Sequence, residues 1–107
     1  MTTFYAVADI TRLTRELRDL QARYPNSTAQ TGLVLMKRMV KIKRKLIEMG
    51  AARERVANIT LVRHGGQVVT ETVTIFDNPY DLDQMRLIKE VKRVTGGARV
   101  LHWGWAN

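Results

Sequence analysis

The 107-residue chain predicts an α+β fold: a four-stranded antiparallel sheet with helices on one face. Three observations lead there. Two β-branched runs flank His64, Gly65 and Gly66, as in a hairpin; aromatic and β-branched runs open and close the chain; and between these lie long stretches whose apolar residues recur at helical spacing. The expected order is strand, one interrupted or two separate helices, hairpin, helix, strand. That is the β-α(α)-β-β-α-β order of the ferredoxin-like split βαβ plan with an enlarged first crossover, and crossover handedness favours it for connections of this length. The rival arrangement packs the hairpin and helices as a three-layer or orthogonal α+β domain. The length suits a single domain over residues 1-107.

Thr3 to Ala8 reads as the first strand, and Asp9 as the N-cap of a helix with Ile10, Leu13, Leu17, Leu20 and Tyr24 on one stripe. Pro25 ends that helix, because the residue before a proline is pushed out of helical geometry. Asn26, Ser27 or Thr28 can cap the next helix, from about Thr31 to Met49, which Gly50 stops. Leu35, Met39, Ile42, Leu46 and Met49 form its core face, with Met36, Val40 and Ile47 widening it. Ala51 to Val56 is either a further turn of helix or a loop.

Asn58 to Arg63 and Gln67 to Phe76 form the hairpin. A two-residue turn would mix apolar and polar residues on one face, whereas a three-residue loop aligns Leu61 with Val69 and gathers Thr60, Thr70 and Thr72 on the other. The three-residue loop is therefore expected, with Glu71 facing inward beside Ile59 as its weak point. Asp81 and Gln84 make a capping-box pattern for a helix to about Val94. Leu87, Ile88, Val91 and Val94 would be its buried stripe. Gly96 and Gly97 stop it, and Ala98 to Trp105 is the last strand.

Composition narrows the function classes. Hydrophobic residues at 45% and charged residues at 26% are ordinary for a folded domain. With no cysteine, zinc-thiolate sites, iron-sulfur clusters, disulfides and thiol nucleophiles are excluded, which agrees with a reducing, cytoplasmic setting. No run approaches the ~20 apolar residues of a membrane span, and the N-terminal apolar stretch lacks a signal-peptide layout. The net charge of +8 makes polyanions the natural partners.

That charge is concentrated. From Lys37 to Lys45 there is no acid, and on a helix Lys37, Lys41 and Arg44 share one face with Arg38 and Lys45 beside them. Like charges four residues apart cost a few tenths of a kcal/mol per pair unless an anion compensates. A flanking set, Arg86, Lys89 and Arg93, lies on the last helix. Trp103 and Trp105 point the same way on the last strand, as a base-stacking or protein-interface pair, although the paired-aromatic strand motifs of the RNA recognition motif are not evident.

No nucleophile set, metal cluster or cofactor loop is visible. His64 and His102 would form a nuclease-like acid-base pair only if the fold joined them. The expectation is a small non-enzymatic basic protein without cofactor or metal, binding nucleic acid, DNA or RNA, through phosphates. The alternative is a protein-interaction module, such as an inhibitor, adaptor or mobile-element accessory subunit, docking on an acidic protein surface. A homodimer is compatible with either.

Overall fold

The computed structural model describes residues 3–106, with side chains from residue 7 onward. Its elements are α1 (Thr3–Arg23), a 3-10 turn (Tyr24–Asn26), α2 (Ala29–Glu48), β1 (Arg53–Val62), β2 (Val68–Asp77), α3 (Arg86–Val94) and β3 (Arg99–Trp105). They form two compact units. One holds the chain up to Arg53 together with Asn78–Asp81; the other holds Glu54–Asp77 and the chain from Leu82 onward.

In the first unit α1 and α2 pack on one another. Ile10, Leu13, Leu17 and Leu20 are buried along α1, as are Leu35, Ile42 and Leu46 along α2. The expected first strand is absent, for Thr3 to Ala8 is the first part of α1. β-propensity mostly reports packing on a sheet, and no turn residue separates this run from the strong helical pattern behind it. Extending an existing helix gains one hydrogen bond per residue fixed, whereas a new strand would need a partner. Asp9 accordingly sits inside α1 rather than at its N-cap, facing Arg12 at 3.5 Å.

Thr28 is the N-cap of α2, its hydroxyl accepting from the Thr31 amide at 3.2 Å. At the other end Gly50 adopts φ +74°, and the Ala51 amide donates to the Leu46 carbonyl at 3.0 Å, so the helix closes on a left-handed residue as glycine permits. The connection back into this unit is polar. Buried Asn78 donates through Nδ2 to the Thr14 hydroxyl at 2.9 Å, and Arg18 pairs with Asp81.

The second unit holds a three-stranded antiparallel sheet, order β2-β1-β3, in place of the expected four strands. With no N-terminal strand to pair, β1 becomes the centre, and β2 and β3 run parallel to each other on either side of it. The six-element ferredoxin-like order is thereby overturned. β1 begins at Arg53, so Arg53 to Val56 is strand and not the further helical turn or loop expected over Ala51 to Val56; these residues are charged or exposed and carry no hydrophobic period that would mark a strand. The hairpin follows the three-residue-loop register: Arg63 donates to the Gln67 carbonyl at 2.7 Å, Thr60 meets Thr70 at 3.0 Å, and Thr72 donates to Asn58 at 3.0 Å. Glu71, the weak point, is half-buried and paired with Arg63.

β1 meets β3 with Ile59 opposite Trp103 and Ala57 opposite Trp105, and an irregularity between Thr60 and Leu61 shifts the register. The core is Ala57, Ile59, Leu61, Ile75 and Val91, with Leu87, Val100, Trp103 and Trp105 packed on it. Each fully buried aliphatic side chain contributes about 1.5–3 kcal/mol relative to exposure.

α3 starts at Arg86, with Met85 at its N-cap. Asp81 is taken by Arg18, and Asp83 accepts from the Met85 amide at 2.9 Å, so the expected capping box at Asp81 and Gln84 does not form. The shorter helix turns Val91 and Glu90 inward while Ile88 and Val94 are exposed, which corrects the expected stripe.

Candidate binding surface

α2 carries the densest charge in the chain. Its buried face is set by Gly32, Leu35, Ile42 and Leu46, and the helical period then turns Lys37, Lys41, Arg44 and Lys45 to solvent. Among the described residues none of these four has an acidic partner. Arg38 is different. Its guanidinium grips Glu16 of α1 with two bonds, Nε to Oε2 at 2.6 Å and Nη2 to Oε1 at 3.0 Å. Those bonds hold the Glu16 carboxyl below its ordinary value and raise Arg38 above its own. Arg38 therefore tethers the two helices, and the outward cationic band reduces to four residues.

The second cluster is spent within its own unit. Arg86 reaches Asp77 at 3.5 Å, Lys89 reaches Asp83 at 2.6 Å, and Arg93 pairs with Glu90. Counting residue types along the helix finds the cations but not these partners, two of which lie on other segments. Asp77 is itself buried and also accepts from Arg55 at 3.3 Å. Period-two counting inward from Ile59 and Ile75 places Arg55 and Asp77 on the core side, which is the signal that would have found this pair.

The two tryptophans lie on the core side of β3. Their rings meet edge to face, with centroids 5.1 Å apart and planes at 86°. The Arg55 guanidinium covers the Trp105 ring at 3.6 Å from its centroid. Arg55, Asp77, Arg86 and Trp105 thus join all four elements of this unit through one charged and aromatic network. On the opposite sheet face Asn58, Thr60, Thr70 and Thr72 are linked across the hairpin.

His64 is at the hairpin tip, whereas His102 pairs opposite Thr60 on β3. Four strand residues separate those levels, roughly 13 Å. Among the described residues no group of three or more His, Asp or Glu is placed to hold a metal ion, and no helix is long and apolar enough to cross a membrane.

Met36, Val40 and Ile47, expected to widen the core face of α2, are 43%, 45% and 37% exposed, and Leu33 is 52% exposed. They form a second apolar stripe beside the cationic band. Comparison with protein-family models, curated proteins and solved structures finds no match to this chain.

Proposed function

We propose that this chain is a small, non-enzymatic basic protein of the cytoplasm that binds nucleic acid, DNA or RNA, through phosphate contacts from α2. The observation that carries this reading is the contrast between two cationic clusters, one on α2 and one on α3. On α3 the cations Arg86, Lys89 and Arg93 each have an acid, while on α2 Lys37, Lys41, Arg44 and Lys45 have none among the described residues. Lys37 with Lys41, and Lys41 with Lys45, repel along the helix by a few tenths of a kcal/mol per pair. An incoming phosphate backbone removes that repulsion. Lysines serve as mobile point charges for sequence-independent contact, and Arg44 adds a bidentate donor.

The test is copurification. Protein prepared in low salt should carry nucleic acid, read as a raised 260/280 nm ratio that falls after a high-salt wash. Protein that is clean in low salt and shifts neither duplex DNA nor single-stranded RNA on a gel would refute the reading.

The exposed apolar stripe on α2 favours a second reading, because phosphate binding has no use for it. In that reading the chain is an interaction module, an inhibitor, adaptor or subunit, that docks on an acidic partner. Recovery of one stoichiometric protein from nuclease-treated lysate, unaffected by loss of nucleic acid, would support it.

A further inference from the structure

We infer that α2 docks an acidic amphipathic helix of a partner protein along the seam Leu33, Met36, Val40 and Ile47. This deepens the interaction-module reading and is independent of whether the cationic band also takes phosphate. The residues fall at spacings of three, four and seven. At 3.6 residues per turn they lie within roughly 60° of arc and extend about 21 Å along the helix. Position 43, where the three-four alternation of a two-stranded helical seam would place a further apolar residue, is Lys43, half-buried, so the apolar anchors are Leu33, Val40 and Ile47, which are equivalent to one another, and Met36. Anchors at such spacing are what an amphipathic helix meets when it lies lengthwise on another. Exposed apolar patches of this regularity on a helix whose opposite side is already packed mark interaction surfaces.

Charge selects the occupant. In this register Lys37 and Arg44 occupy the position flanking the seam, one per heptad, and both are exposed. Flanking positions choose partners by ion pairing across the seam. A second copy of this chain laid antiparallel would oppose Lys37 and Arg44 with the same two cations. A helix bearing glutamates at its flanks and leucines at its centre matches both the apolar stripe and its cationic border. At the N-terminal end the seam opens into a hollow lined by Tyr24, Pro25, Gly32, Leu33 and Met36, which can receive one apolar side chain of the partner.

The probe is a fluorescein-labelled synthetic peptide of three heptads, with leucine at the two seam positions and glutamate at both flanks, followed by anisotropy with the full chain. Saturable binding is expected, weakened about tenfold or more by Val40→Asp and by Leu33→Asp, and similarly weak when the peptide's glutamates are replaced by lysine. Lys41→Glu with Lys45→Glu, on the far side of the band, should leave peptide binding within a few-fold while abolishing any nucleic-acid binding. Thermal melting of each variant confirms folding, since all four positions are exposed. Four results would overturn the inference. They are no saturable binding below about 0.1 mM; equal binding of the lysine peptide; a homodimer by light scattering that Val40→Asp dissolves; or binding to phosphatidylserine vesicles, lost in Val40→Asp, by protein that ignores the peptide.

Discussion

If α2 contacts phosphate through its unpartnered cations, the salt dependence of binding counts them. Four such residues, Lys37, Lys41, Arg44 and Lys45, face solvent without an acid among the described residues. Each phosphate neutralised on duplex DNA contributes about 0.9 to the slope of log K against log salt, so four contacts give a slope of about −3.6. Raising salt fourfold then lowers affinity by about 150-fold. Replacing Lys41 and Lys45 by alanine leaves two contacts, a slope of about −1.8 and a loss of only about 12-fold over the same range. Replacing Arg86, Lys89 and Arg93 should leave the slope within experimental error, because their charges are already met by Asp77, Asp83 and Glu90. The assay is fluorescence anisotropy with a short labelled duplex at several salt concentrations. A slope near −7, or one that falls when α3 is altered but not when α2 is, would show that internal ion pairing does not decide which cations reach phosphate.

Three further outcomes test the fold. Asp77→Asn withdraws the negative charge shared by Arg55 and Arg86, and should lower stability by about 1–3 kcal/mol in urea while changing the near-ultraviolet dichroism of Trp105; no change in either would mean the network is ornamental. Leu46→Ala, at a position with no exposure, should cost about 2–5 kcal/mol by the same melt, and a cost below 1 kcal/mol would show that the α2 core face is loosely packed. Glu16 has a native value below its ordinary 4.5, so the stability it contributes is fully present above that pH and is lost as pH falls through the lowered native value. Arg38 is raised, so its share persists throughout the neutral range. The stability difference between wild type and Glu16→Gln should therefore be constant near neutrality and close in acid; a difference that widens in acid would reverse the sign of the argument.

Much of the fold was legible where one physical signal acted alone. The hairpin loop followed from aligning Leu61 with Val69 and gathering Thr60, Thr70 and Thr72 on the other side, and the end of α1 from Pro25. The errors arose where two signals competed. Thr3 to Ala8 satisfies strand propensity, yet it adjoins a helix already nucleated by Ile10, Leu13 and Leu17, and propagation wins. Asp81 has the ideal side chain for an N-cap, but it also has a distant arginine, Arg18, that sequence spacing cannot reveal. On α2 the apolar residues cover too wide an arc for one packing face. Helical periodicity alone assigns the whole arc to the core, and only the neighbours determine that Leu35, Ile42 and Leu46 are buried while Met36 and Val40 are not.

The same competition explains why the two basic helices differ. A cationic run is free or spent according to the acids that tertiary structure delivers to it, and the chain has 18 lysines and arginines for 10 aspartates and glutamates. α3 lies beside the end of β2 and the loop before itself, which bring Asp77 and Asp83, while Glu90 arises on the helix one turn from Arg93. α2 receives Glu16 from α1, and that carboxylate is committed to Arg38 at both oxygens. Its own Glu48 stands four residues after Arg44, the order less favourable for an ion pair along a helix. Lys37, Lys41, Arg44 and Lys45 are thereby left exposed on one helical surface, bordered by an apolar seam. A bare phosphate backbone needs only the first of these features, whereas an acidic amphipathic helix uses both, so whether Val40→Asp or Lys41→Glu abolishes binding identifies the partner.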